Sequence, residues 1–186
     1  MPDPRVITDV DALKALAHPL RQRMLAHLQL HGAATSAMLA ERLGVDRGAA
    51  SYHLRQLHRY GFIADEPERH GRRRFWRYVP QDLRLPPRQD DEELNLAADE
   101  VLRLWHERGQ RAMEYFDAHR DEFGEFAHAA TGSFGAAVLT PDELRQFAEE
   151  YIALLNRWQR DPADAPPGAR HVTALFYMFP TPEEGA

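Results

Sequence analysis

Between Thr35 and Arg59 two short apolar patterns of helical period meet at Leu43-Gly44-Val45-Asp46, and no other feature constrains this chain as much. Leu39, Ala40 and Leu43 form one face of the first pattern, and Thr35 is placed to cap its start. Gly44 suits the left-handed backbone that ends a helix abruptly, and Asp46 is a good cap for the helix that follows. In the second pattern, at about 100° per residue, Ala50, Leu54 and Leu57 point together into a core. Gly48, Tyr52, Arg55 and Arg59 point the opposite way, with Ser51 and Gln56 on the flanks, and that outward face has no acid.

The neighbours extend this pair. Val10, Leu13, Leu16 and Ala17 fall at helical spacing before Pro19, and Leu20, Met24, Leu25 and Leu28 line a further helix stopped by His31-Gly32. Gly61 ends the outward-facing helix. Two β-rich stretches follow, Phe62 to Glu66 and Arg74 to Val79, around a polar tip containing Gly71. Helices followed by a hairpin are the order of a winged helix-turn-helix. The expected class is mainly α (α+β): this module, then a helical C-terminal domain with a short β element. Composition shifts over YVPQDLRLPPRQDD, so we expect residues 1–80 as the first domain, 81–91 as a linker and 92–186 as the second.

The side chains on the outward face are suited to double-stranded DNA. Arginine can bond guanine bidentately, glutamine can bond adenine, and serine and tyrosine reach phosphates or base edges. Arg47 and Gly48 open the helix, where the N-terminus favours phosphate and a glycine lets backbone approach closely. At the hairpin tip Arg69, His70, Arg72, Arg73 and Arg74 surround Gly71 and suit backbone or minor-groove contact. The expected DNA-contacting set is therefore Arg47, Gly48, Ser51, Tyr52, Arg55, Gln56, Arg59, Arg72, Arg73 and Arg74. Phe75, Trp76 and Tyr78 are expected to pack rather than to stack on bases. The charge agrees: residues 1–80 carry 13 Arg or Lys against 8 Asp or Glu, and residues 81–186 carry 10 against 21.

Over roughly residues 7–80 the chain resembles the ArsR-type winged-helix regulators. ALAHPLRQRMLAHL is similar to that family's first two helices, TSAMLAERLGVDRGAASYHLRQLHRYGFI to its helix-turn-helix, and HGRRRFWRYV to its wing. The resemblance implies a transcriptional regulator, expected here to be a repressor, working as a homodimer on a pseudo-palindromic operator. Some members sense metals, but their cysteine sites cannot exist in a chain without cysteine. Asp117-Ala-His119 resembles the start of another family site, and the second ligand pair expected about a dozen residues on is missing. No metal site and no cofactor is expected.

The remaining sequence carries 12 of the chain's 18 aromatic residues. Glu92 to His119 is one long helical pattern with Leu94, Ala97, Val101, Leu104 and Trp105 on a stripe. Thr140-Pro141-Asp142-Glu143 has the spacing of a capping box, opening a helix to about Arg160. Its apolar face is Leu144, Phe147, Ala148, Tyr151, Leu154, Leu155 and Trp158. Val172 to Phe179 has the β-branched and aromatic character of a buried strand, with Ser133 to Leu139 as a candidate partner. These aromatics fit a core or dimer interface, or a core that also encloses a small apolar or aromatic effector. The two remain open at this level.

Other classes find little support. There is no phosphate-cradling glycine loop, G-x-S-x-G or H-E-x-x-H motif, so an enzyme is not expected. The alternative is a winged helix used for protein–protein contact, against which the basic outward face argues. The first residues carry acids where a signal peptide needs an apolar run, and the longest apolar stretch is too short to cross a bilayer. No membrane association is expected, and the expected location is the cytoplasm.

Overall fold

A computed structural model describes residues 4–66, 73–133, 135–160, 164–174 and 176–181. The chain forms two compact units, Pro2–Arg108 and Gly109–Ala186.

The first unit opens with β1 (Arg5–Val6), followed by α1 (Val10–Leu16), whose start is capped by Asp9 accepting from the Asp11 N–H at 2.8 Å. Pro19 is the first residue of α2 (Pro19–His31), where its missing N–H costs nothing. α2 ends at Gly32, whose φ is +78°. Next come α3 (Ser36–Leu43) and α4 (Arg47–Arg59), then an antiparallel pair, β2 (Ile63–Asp65) and β3 (Trp76–Tyr78). Ile63 stands opposite Tyr78, and Asp65 opposite Trp76. The backbone of Ala34 exchanges two hydrogen bonds with that of Trp76, at 3.0 and 2.9 Å, tying the hairpin to the start of α3. This is the expected mainly helical, winged helix-turn-helix order. The hairpin tip, residues 67–72, lies outside the described residues.

One core joins these elements. Leu13, Leu39, Leu54, Leu57 and Phe62 are completely buried in it. Among the described residues two polar side chains are buried with it: the Thr35 hydroxyl accepts from the Met38 N–H at 3.2 Å, and the Gln22 amide donates to the Leu16 carbonyl at 2.8 Å, so each has a partner there. The expected linker, 81–91, is built into this unit. β4 (Leu83–Arg84) pairs in parallel with β1, with Arg5 opposite Leu83, and the Arg5 guanidinium bonds Gln81 at 2.7 Å. The 27-residue helix α5 (Glu92–Ala118) then places Leu94, Ala97, Ala98 and Val101 in the same core. The unit therefore runs on to Arg108 rather than ending near residue 80. The prolines of this stretch break helical periodicity, but its apolar residues are still used.

The second unit contains the end of α5, a 3-10 turn (Arg120–Phe123), the short α6 (Glu125–Ala129) and α7 (Pro141–Trp158). The expected capping box is present: the Thr140 hydroxyl accepts from the Glu143 N–H, and the Glu143 carboxylate accepts from the Thr140 N–H at 2.8 Å. Aromatic contacts hold its parts together. Tyr115 stacks on His119 with centroids 4.1 Å apart, and Tyr151 on α7 stacks on Phe176 at 3.7 Å. The Arg170 guanidinium lies 5.7 Å from the ring centroids of both Phe123 and Phe126.

The strand expected over Val172 to Phe179 is not formed among the described residues there. Val172 is 78% exposed and Phe179 73% exposed. The candidate partner, Ser133 to Leu139, has no strand among its described residues either, and Val138 is fully exposed. A strand needs a neighbour to take its backbone hydrogen bonds, and without one β propensity has nothing to act on. Phe176 instead packs its ring on α7.

Candidate nucleic-acid interface

The turn between α3 and α4 sets the geometry. Gly44 has φ +66° and ψ +41°, and the Val45 N–H returns to the Ala40 carbonyl at 2.9 Å, closing α3. Two residues later the Asp46 carboxylate accepts from the Gly48 and Ala49 N–H groups at 2.7 and 3.2 Å. Gly48 leaves room for this cap: a Cβ there would lie 2.8 Å from Asp46 Oδ1, so a side chain would make the capping carboxylate shift. The residue type was evident from sequence as one that allows close backbone approach; its part in seating Asp46 was not. Ala50, Leu54 and Leu57 anchor α4 from below, each fully buried.

The opposite face of α4 is open. Arg47, Gly48, Tyr52, Arg55 and Arg59 are exposed, and Ser51 and Gln56 are half-buried at the edges. These seven expected residues therefore share one surface. Between Arg47 and Arg59 the helix has no acid, and among the described residues neither Arg47 nor Arg55 has an ion-pair partner. The Arg59 guanidinium lies 5.5 Å from the Tyr60 ring centroid. An unpaired guanidinium on a rigid helix keeps its whole donor fork for an incoming acceptor.

The three expected wing arginines differ. Arg72 lies outside the described residues, and Arg73 is exposed. Arg74 is also exposed, but it is engaged: its Nε is 2.6 Å from the Asp65 carboxylate across the hairpin, and its guanidinium lies 4.9 Å from the Trp76 ring centroid. Trp76 itself is buried, as a packing role requires.

A cluster beside this face escaped the sequence reading. His18, the residue that caps α2, accepts from the Leu20 N–H on Nδ1 at 3.2 Å. Its ring lies 4.4 Å from that of His53 on α4, which meets the Tyr52 ring edge-on at 5.2 Å. Burial first, then the charge of Arg21, holds the His18 pKa below the ordinary histidine value. For His53 the causes are burial, His18 and Arg21. The two rings come from residues 35 positions apart, so no local spacing could have announced them. Among the described residues no three His, Asp or Glu side chains gather as a metal site.

Comparison with known proteins supports the module. No curated protein matches the chain. Among solved structures the chain is similar to reduced HlyU from Vibrio cholerae, at 23% identity over 52% of this chain and 86% of that one, with a TM-score of 0.33. It is also similar to the YusO protein from Bacillus subtilis, at 18% identity over 78% and 82%, with a TM-score of 0.35. A third is the transcriptional regulator Tm0710 from Thermotoga maritima, at 13% identity over 80% and 85%, with a TM-score of 0.34. Likenesses this distant carry no argument about function. The family comparison is local and more direct: residues 16–66, from the last residue of α1 through β2, match the family described as a helix-turn-helix domain.

Proposed function

We propose that this chain is a sequence-specific DNA-binding transcriptional regulator of the ArsR-like kind. It acts as a repressor in the cytoplasm, as a homodimer on a pseudo-palindromic operator. One observation carries the reading. The capped and anchored helix α4 turns an acid-free face to solvent, with Arg47 and Arg55 without an ion-pair partner among the described residues and Ser51, Tyr52 and Gln56 beside them. Laid in a major groove, Arg55 and Gln56 reach base edges, while Arg47, Ser51, Tyr52 and Arg59 meet phosphates. Arg73, with Arg72, adds a backbone contact from the hairpin. A two-fold pair of such helices about 34 Å apart reads two half-sites one turn apart. No helix among the described residues is long and apolar enough to cross a membrane.

The test is footprinting of genomic fragments with the purified full chain at moderate salt. Protection of a discrete inverted repeat supports the proposal. Binding that ignores sequence, or no retention of DNA, overturns it and favours a winged helix that contacts protein. A screen for apolar or aromatic compounds that release the operator then asks whether the second unit holds an effector.

A further inference from the structure

α7 has an apolar seam that the chain itself covers on one side only. Phe176 stacks on Tyr151, with Phe147 further off at 6.1 Å. On the other side Phe147 is 47% exposed, Leu154 45% and Trp158 70%. They flank an open groove lined by Phe147, Glu150, Tyr151, Ala153, Leu154 and Arg157.

The spacing of this seam is informative. Leu144, Phe147, Tyr151, Leu154 and Trp158 follow the alternating three- and four-residue steps of a helix that packs against another helix. The charges are divided along it: residues 141–150 hold four acids and one arginine, whereas 151–160 hold two arginines and no acid. The helix is therefore complementary to itself when reversed. Residues 150 and 157 both border the groove, each one position before a seam residue, Tyr151 and Trp158. In an antiparallel pair that sets Phe147 against the partner's Trp158, Glu150 of each copy comes opposite Arg157 of the other, twice over by symmetry.

We propose that the α7 groove is the seat of α7 from a second copy of this chain, packed antiparallel about a two-fold axis near residues 152 and 153. This rests on the homodimer reading and names the surface that makes it. The packing removes the exposed Phe147, Leu154 and Trp158 from water on both copies, and Glu150 and Arg157 fix direction and register.

The test is charge exchange in the full chain, with the dimer dissociation constant read by sedimentation and helicity read by circular dichroism. Glu150→Arg and Arg157→Glu alone should each weaken the dimer on the order of tenfold, since each makes two like-charge contacts. The double variant should return to within about threefold of the natural chain, because both pairs are rebuilt in reverse. All three variants should keep their helicity, the substituted side chains being exposed. A dimer indifferent to all three changes overturns this surface while leaving the homodimer standing. A double variant no tighter than the singles overturns the antiparallel register. A natural chain that stays monomeric at micromolar concentration overturns both. If that monomer binds the apolar dye anilinonaphthalene sulfonate one to one and loses it in Trp158→Ala, the groove is a small-molecule site.

Discussion

Two amphipathic helices in this chain have seams of similar apolar content and opposite fates. α4 buries Ala50, Leu54 and Leu57 completely, whereas α7 leaves Phe147, Leu154 and Trp158 exposed. The same contrast holds for the units that contain them. Among the described residues every buried apolar side chain belongs to the first unit, and none after Gly109 is buried. Ordering a residue costs about 1–2 kcal/mol of backbone entropy, which only removal of apolar surface from water offsets on this scale. The first unit meets that requirement alone. The second meets it through stacked rings, a capping box and, on our proposal, a second copy.

The largest test of this contrast is truncation. A chain ending at residue 108 should unfold cooperatively in urea, because β4 and the buried part of α5 are retained. A chain ending at residue 80 loses Leu94, Ala97, Ala98 and Val101 from the core. Leu94 and Val101 contribute about 1.5–3 kcal/mol each when fully buried, so the shorter fragment should lose at least about 3 kcal/mol of a typical domain stability of about 5–15 kcal/mol. Equal urea midpoints for the two fragments would show that α5 is dispensable to the first unit.

Single substitutions sharpen the comparison. Leu54→Ala should cost about 2–5 kcal/mol of folding stability, as core truncations do, while Leu154→Ala should cost under about 1 kcal/mol in the folding of a monomer. Similar losses at both positions would mean that α7 is covered within its own chain. On DNA the effects are smaller. Arg55→Ala should cost about 1–3 kcal/mol and relax preference at one base pair per half-site. Arg73→Ala should weaken binding across all sequences and flatten the salt dependence by about one unit of slope. A binding selection at several salt concentrations separates the two roles. If Arg73→Ala alters base preference and Arg55→Ala only the salt slope, the assignment is reversed.

The smallest expected effect concerns pH. His18 and His53 are held below the ordinary histidine value in the folded chain. The unfolded chain, with histidines near their ordinary pKa of about 6.5, takes up protons first as pH falls. Their contribution to stability is thus intact above about pH 7 and declines on acidification until the folded groups also protonate. Urea midpoints between pH 7.5 and 5.5 should fall for the natural chain and fall less for His53→Gln. An equal decline in both would assign the effect to other groups.

Local chemistry was legible in the sequence where a signal and its structural partner lie within a few residues. Thr35, Gly44, Asp46 and Thr140 cap or close their helices as their residue types imply. The outward face of α4 follows from helical period alone. What was not legible depends on distant partners. The β1–β4 pairing joins two-residue strands nearly 80 positions apart, too short for any alternation to show. The stripe on α5 reads the same whether it faces the first core or another helix, so the unit boundary was placed too early. Val172 to Phe179 has strand-like residues but, among the described residues, no ladder to join. For the candidate site, sequence identified the arginines but not that Arg74 is engaged by Asp65 and Trp76.

The base of the hairpin is secured by the Ala34–Trp76 hydrogen bonds, the Asp65–Arg74 ion pair and the burial of Trp76. Such a clamp separates two kinds of evolutionary change. Replacements or insertions between Glu66 and Arg73 can alter the length and charge of the tip while the anchoring residues, and the orientation of α4 behind them, stay fixed. Related regulators could then drift toward different operator flanks by editing this short stretch, each step nearly neutral for folding. A library randomised over those positions should yield a high proportion of folded chains with a wide spread of flank preferences.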